Sequence, residues 1–434
     1  MWSEGKAAKL LGVPLLIATL RIESLVHGGE GIARHEGRVV FVRGGAPGDL
    51  VEAELQGGSA RFERTRALRV LEPGAAHVAA PCPIVDRCGG CPVQHVDSGA
   101  QLAAKSALTA DALERIGGVA PGTYQLLPIS PSPKKFRYRR RARLRRGKGG
   151  TWGFKGDEGV VAVEECLLFE EPLQKLADAL RGEDLPGVMD LGLDTSASGK
   201  GAVDLRTPGP PSPALRKRAR QLLAGLVKGV TLGSEIAGDP VLIDDHPGFR
   251  LRSRPDVFSQ ANRSMVPALQ SAALAALGEA VSGRILELFC GSGTLTLPLL
   301  LRAQSVVGVE SAGPSLQLLR RSADEIAGAA GKLRLVAGDA AEALPGLLGP
   351  FDAALLDPPR TGAAEAVRAL AKHGIPRIAY VSCDAPTLAR DAKLLRDAGY
   401  QLVSAHPLDL FPQTAHFEVV AAFVRVSGAW RGTS

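Results

Sequence analysis

Five short apolar runs recur in the second half of the chain, each followed by a segment long enough for a helix. They are RILELF, SVVGVE, KLRLVAG, FDAALLD and RIAYVS. Strand and helix alternating in this way predict an α/β fold with a parallel, doubly wound sheet. The last two runs, QLVSAHPLDL and HFEVVAAFVRV, have no helix between them and predict an antiparallel ending. Ahead of the first run, SMVPALQSAALAALGEAV has the period of a helix. Near the N-terminus the pattern is different. Residues 15–73 read as short strands with Gly-rich turns, as in GRVVFV followed by GGAPGD. A small OB-like β-barrel fits, and such barrels hold RNA; an ordinary β module for protein contacts is the alternative. Between these regions the pattern predicts a helix over 101–116 and strands over 135–146 and 151–163. The Pro-rich RTPGPPSPALRKR reads as a surface loop or linker. The expected domains are 15–73, a central α+β domain over 74–250, and 251–434.

A length of 434 residues exceeds what one hydrophobic core supports. Hydrophobic and charged fractions of 45% and 22% are those of a soluble globular protein. No apolar run reaches the length of a membrane span. LLGVPLLIATL, residues 10–20, lacks the basic flank and cleavage site of a signal peptide. A cytoplasmic monomer without a membrane partner is expected.

The net charge of +7 is concentrated. KKFRYRRRARLRRGK, residues 134–148, carries ten Lys or Arg and no acid, so the remainder of the chain is net negative. Local basicity of this kind is an electrostatic footprint for nucleic acid. On a strand, Arg137, Arg139, Arg141, Arg143 and Arg145 would share one face, with Phe136, Tyr138, Ala142 and Leu144 on the other. Five like charges on one face repel unless anions neutralise them. RNA phosphates would do so; a solvated basic surface is the plain alternative.

The chemistry-bearing residues sit where the apolar runs end. LELFCGSGT places Gly291 and Gly293 between a strand and a helix. The third glycine of a dinucleotide fingerprint would fall at position 296, which is Thr. That disfavours NAD and an oxidoreductase, and favours S-adenosylmethionine (SAM), which needs no pyrophosphate cradle. Glu310, ending the second run, is placed to bind ribose hydroxyls, and Asp339, after the third, to meet an adenine amino group. Asp357 follows the fourth run, Cys383 the fifth, and Glu418 lies near the C-terminus. Cys290, in the cofactor turn, is assigned only packing. The other cysteines, Cys82, Cys88, Cys91 and distant Cys166, suit zinc or a [4Fe–4S] cluster better than disulfides.

FSQAN, LELFCGSGTLTLPL, GVE, DPPRTG, VSCDAPTLARD and FPQTAHFE together resemble the RNA uracil-5-methyltransferases, which make 5-methyluridine in ribosomal or transfer RNA. The N-terminal module resembles their TRAM domain, and CPIVDRCGGC with Cys166 resembles their iron–sulfur site. The resemblance implies a class I SAM-dependent methyltransferase acting on RNA, ribosomal RNA in preference to tRNA. It makes Cys383 the nucleophile that adds to uracil C6, and Glu418 the base that removes the C5 proton. It makes Gln260, Phe289, Glu310, Asp339 and Asp357, with Gly291 and Gly293, the SAM contacts. It also favours [4Fe–4S] over zinc at the four cysteines. Three places depart from the family pattern. Thr294 stands where some relatives have Asn, Asp384-Ala385 follows the nucleophile where Asn-Pro is usual, and LLRRSADEIAG in the helix after Glu310 lacks the usual Asn. Asp384 would place a negative charge beside a thiolate and raise its pKa. A catalytically weak or inactive RNA-binding or chaperone relative is the second reading.

Overall fold

The computed structural model describes residues 16–55, 61–223, 225, 227–347 and 349–426. The chain divides into two compact units, Met1–Leu108 with Phe411–His416, and Thr109–Leu410 with Phe417–Ser434.

The first unit carries β1 (Leu16–Arg21), β2 (Ser24–Leu25), β3 (Gly31–His35), β4 (Arg38–Arg43), β5 (Leu50–Leu55) and β6 (Phe62–Glu72). They form one sheet in the order β1-β5-β6-β4-β3-β2. Side chains two apart on a strand point the same way. Alternation therefore gathers Ala18 and Leu20, Val40 and Val42, and Val51, Ala53 and Leu55 into one buried core. Residues 10–15 of the expected first apolar run lie outside the described residues. After a turn-rich segment comes α1 (Ser98–Arg115), inside which the boundary between the units falls.

The second unit begins with a two-residue strand, β7 (Gln125–Leu126), and then builds its first sheet. That sheet uses β8 (Arg141–Arg146), β9 (Trp152–Gly156), β10 (Gly159–Ala162), β11 (Asp190–Thr195), β12 (Gly201–Arg206), β13 (Val227–Leu232) and β14 (Glu235–Gly238). Helix α2 (Glu171–Leu180) lays Leu173, Leu176 and Leu180 on it, against Leu191, Leu193, Val203 and Leu205. The Pro-rich segment is only partly a loop: Ser212 accepts from Leu215 N and starts α3 (Pro213–Gln221). A serine cap followed by proline is a helix start that the Pro content concealed. A hairpin of β15 (Leu242–His246) and β16 (Phe249–Ser253) follows.

The C-terminal sheet is assembled from α4 (Val266–Leu277), β17 (Arg284–Leu288), α5 (Thr296–Leu300), β18 (Ser305–Glu310), α6 (Gly313–Ala323), β19 (Leu333–Ala337), α7 (Ala340–Ala343), β20 (Ala353–Leu356), α8 (Ala364–His373), β21 (Arg377–Ser382), α9 (Ala385–Asp397), β22 (Tyr400–Leu408) and β23 (Glu418–Arg425). The strand order is β19-β18-β17-β20-β21-β23-β22-β7. The five expected strands run parallel to one another, and β23 enters antiparallel between β21 and β22, as the missing helix implied. Strand order reverses between β17 and β20, and a ligand crevice opens at the carboxyl ends beside such a switch point. The helical run Arg263–Ser282 is long and apolar enough to cross a membrane, although the apolar pattern had suggested no such run. Leu269, Ala273 and Leu277 on it, four residues apart, are fully buried, so its apolarity serves a core.

Candidate active site at the carboxyl edge

Buried parallel strands need apolar side chains along their length, so the first polar group after each strand falls at the sheet edge. β17 ends at Leu288, and the chain turns at once. Phe289 has φ 62°, Gly291 φ 54° and Gly293 φ 97°. A bulky residue at positive φ is strained, and such strain is concentrated at functional sites. A Cβ on Gly293 would lie 2.5 Å from Leu319 Cδ1, so only glycine lets α6 pack there. Glu310, at the end of β18, grips this turn: its Oε2 accepts from Gly291 N at 3.0 Å and its Oε1 from Ala312 N at 2.8 Å. Asp339 is exposed and caps α7, accepting from Ala341 N at 2.8 Å. Gln260 is buried on the segment between β16 and α4, and among the described residues its Oε1 accepts no hydrogen bond. Two residues earlier, Phe258 is 76% exposed.

The chemical groups meet beside the next two strands. Cys383 follows β21 and is half-buried. Burial pushes its thiol up to about 11; Glu418 and Asp357 push the same way, while Arg360 lowers it by charge and by a hydrogen bond. Glu418 opens β23 and is buried, with its Oε2 accepting nothing among the described residues. Burial holds its pKa well above the ordinary carboxylate range, Asp357 raises it further, and Arg360 opposes both. Asp357 is likewise raised by burial. A thiol, two carboxyls and one guanidinium are thus brought together from β20, β21 and β23. Cys290 is buried, its thiol raised by burial, in keeping with a packing role.

Arg360 was not singled out by the sequence reading, although DPPRTG contains it. Its signal would have been the need for a cation beside a nucleophilic thiol. Asp384 has a structural role as well. Its carboxylate accepts from Thr387 N at 2.9 Å and caps α9, where the helix N-terminus favours a negative charge.

Comparison with known proteins agrees with this geometry. The profile of the tRNA (uracil-5-)-methyltransferases matches residues 228–425, and that of the TRAM domain matches 17–62. The chain is similar to the 23S rRNA (uracil(1939)-C(5))-methyltransferase RlmD of Pseudomonas aeruginosa, 35% identical with 93% of each chain covered. It is 34% identical to the RlmD of Dechloromonas aromatica, over 93% of this chain and 98% of that one. The chain belongs to the SAM-dependent RNA uracil-C5-methyltransferases. The fold of this methyltransferase is that of the Pyrococcus abyssi tRNA (uracil-54, C5)-methyltransferase, solved with S-adenosyl-L-homocysteine. The two share a TM-score of 0.70 at 23% identity, over 94% of this chain and 99% of that one.

The basic segment of the methyltransferase departs from the expected single face. Regular strand begins only at Arg141, and Arg137 turns away at φ 53° to pair with Glu165. Arg139 also precedes the strand. Arg141, Arg143 and Arg145 do alternate with buried Ala142 and Leu144. The acids that neutralise them, however, are the protein's own. Arg145 faces Asp190 and Arg141 faces Asp194 across the β8–β11 ladder. Arg143 faces Gly192, which faces Asp204 on β12. Arg143 therefore reaches across the missing side chain to Asp204 at 3.2 Å. Arg141 is also held by Ser259, Pro255 and Val257. Arg140, between these arginines, is buried against Asp194 at 2.7 Å and Asp244 at 2.6 Å.

Cys82, Cys88 and Cys91 lie in the turn-rich segment of the first unit, and Cys166 in the second; all four are half-buried and none is in a disulfide. Thiolates are suitable iron ligands, but among the described residues no three His, Cys, Asp or Glu side chains are gathered as a metal site.

Proposed function

We propose that this methyltransferase modifies a uridine of 23S ribosomal RNA, with Cys383 as nucleophile and Glu418 as base. The observation that carries the roles is the pairing of a thiol with an unsatisfied buried carboxyl at one sheet edge. Uracil C5 is a weak nucleophile. Addition of the Cys383 thiolate to C6 makes an enolate whose C5 is reactive. SAM supplies the methyl group that C5 takes up. Glu418 then accepts the C5 proton, the C5–C6 double bond re-forms, and the thiolate leaves. Arg360 favours the thiolate before addition and after release. Gln260, Phe289, Glu310, Asp339 and Asp357, with the Gly291–Gly293 turn, would hold SAM. The strained turn and the unsatisfied Gln260 oxygen support that assignment.

The choice of ribosomal RNA rests on the RlmD relatives, which align over nearly the whole chain. Exposed Phe258 offers a ring for a base, and Arg137 and Arg145, the most exposed of the five arginines, offer charge for phosphates. The enzyme would act as a cytoplasmic monomer. The presence of Cys383 and Glu418 side by side favours catalysis over the inactive-relative reading. The test is labelled methyl transfer to 23S RNA lacking the modification, with 5-fluorouridine RNA as a trap. Wild type should form a stable adduct and Cys383→Ala none. An equal adduct from Cys383→Ala, or methylation of tRNA alone, would overturn the corresponding part.

The same reading gives Cys82, Cys88, Cys91 and Cys166 to a [4Fe–4S] cluster, supported by donor type and spacing. Anaerobically purified protein should then hold about four irons with matching sulfide. Stoichiometric zinc without sulfide would reverse the assignment.

A further inference from the structure

The turn that presents Arg360 is clasped from one side by α9. Gly362 N bonds Pro359 O at 2.9 Å, and Gly362 has φ 85°. Ala363 N donates to Asp391 Oδ2 at 2.8 Å, and Thr387 Oγ1 donates to Arg360 O at 3.2 Å. Thr387 and Asp391 are four apart and so share one face of α9. A Cβ at Gly362 would meet Thr387 Cγ2 at 2.5 Å and Asp391 Oδ2 at 3.0 Å, which measures how closely turn and helix approach. Asp391 is buried, and the buried Tyr380 hydroxyl on β21 donates to the same Oδ2 at 2.5 Å. Cys383 lies two residues before the first residue of α9. One helix therefore fixes both the nucleophile and the loop carrying its cation.

We propose that Asp391 is a positioning residue that holds the Arg360 turn so that the guanidinium meets the Cys383 thiol. The inference rests on the roles assigned above but concerns a thiol–guanidinium pairing that can be read without RNA. The groups facing that thiol are Arg360 and Asp357 from the loop after β20 and Glu418 from β23, with Asp384 adjacent in the chain. Of these, Arg360 is the one that favours the thiolate. Its side chain is long and flexible, and it loses that effect if its backbone turn drifts.

The test is iodoacetamide alkylation of Cys383 in the full-length protein from pH 6 to 10, quantified by peptide mass spectrometry. Asp391→Ala should alkylate about tenfold more slowly at neutral pH, equivalent to an upward shift of about one pKa unit. Asp391→Asn keeps an acceptor for Ala363 N and should restore most of the wild-type profile. In an Arg360→Ala background, Asp391→Ala should add nothing. If Asp391→Ala does not fold, Thr387→Val, which removes the bond to Arg360 O together with the one Thr387 accepts from Arg390, should shift the profile in the same direction. A wild-type profile in the folded variant, or an equal shift with and without Arg360, would overturn the proposal. Should Cys383→Ala still trap 5-fluorouridine, the nucleophile assignment fails while the alkylation result stands by itself.

Discussion

Cys383, raised first by its burial, is raised further by Glu418 beside it. The base that the reaction needs last thus opposes the thiolate that it needs first. Addition to RNA should therefore quicken with pH, about tenfold per unit while the thiol stays below its pKa of about 11. Glu418→Gln removes that opposition wherever Glu418 is ionised, so at alkaline pH adduct should form faster than in wild type. Release should be slower by about 10²–10⁴, the usual cost of a lost general base. Stopped single turnovers should then show enzyme–RNA adduct accumulating. Turnover equal to wild type would remove Glu418 from the mechanism.

The arginine ladder divides into groups that meet solvent and groups that do not. Arg145 has 61% of its side chain exposed, against 15% for Arg141. Counterion release scales with phosphates neutralised, at about −0.7 per contact on single strands. Arg145→Ala should make the salt slope of RNA affinity shallower by about 0.7, equally for all sequences. Arg141→Ala should leave that slope unchanged and instead lower the denaturation midpoint. A slope change at Arg141 would return the ladder to the reading in which RNA alone neutralises it.

Those acids explain what the sequence could and could not disclose. The five parallel strands were legible because each is a continuous apolar run ending at a polar residue. The positions of Gly291, Glu310, Asp357 and Cys383 followed from those endings. The partners of the arginines were not legible. Asp194 lies 54 residues from Arg140 and Asp204 lies 61 from Arg143, and only the β8–β11–β12 register joins them. Arg360 escaped notice for a related reason: its effect on Cys383 depends on how α9 holds a loop, and no local pattern encodes that hold.

Arg140 should be among the most costly residues to truncate. Its guanidinium is bonded to Asp194, Asp244 and Ser253, and Asp244 is also bonded to Arg263. Arg140→Ala leaves Asp194 buried without its main counter-charge, and breaking a buried pair costs about 3–5 kcal/mol. Urea unfolding should show that loss in the midpoint. A loss below about 1 kcal/mol would mean that water reaches the network.

Glu287 gives the last prediction, because burial favours its protonated form. It lies on β17, fully enclosed, and burial raises it from 4.5 to about 8; Thr296 opposes that shift and Asp357 adds to it. A folded-state pKa above the unfolded one means that the native state binds the extra proton. The associated stability is complete below about pH 4.5 and is lost as pH rises through about 8. Between those limits the slope from this one group is about −1.4 kcal/mol per pH unit. Glu287→Gln has nearly the same shape and no proton to lose. It should abolish that share of the slope and leave the protein more heat-stable than wild type at pH 9, with little difference at pH 5. Melting temperatures at the two pH values decide it. A variant and a wild type that lose stability in parallel from pH 5 to 9 would show that Glu287 is charged in the native sheet, with a counter-charge that holds it so.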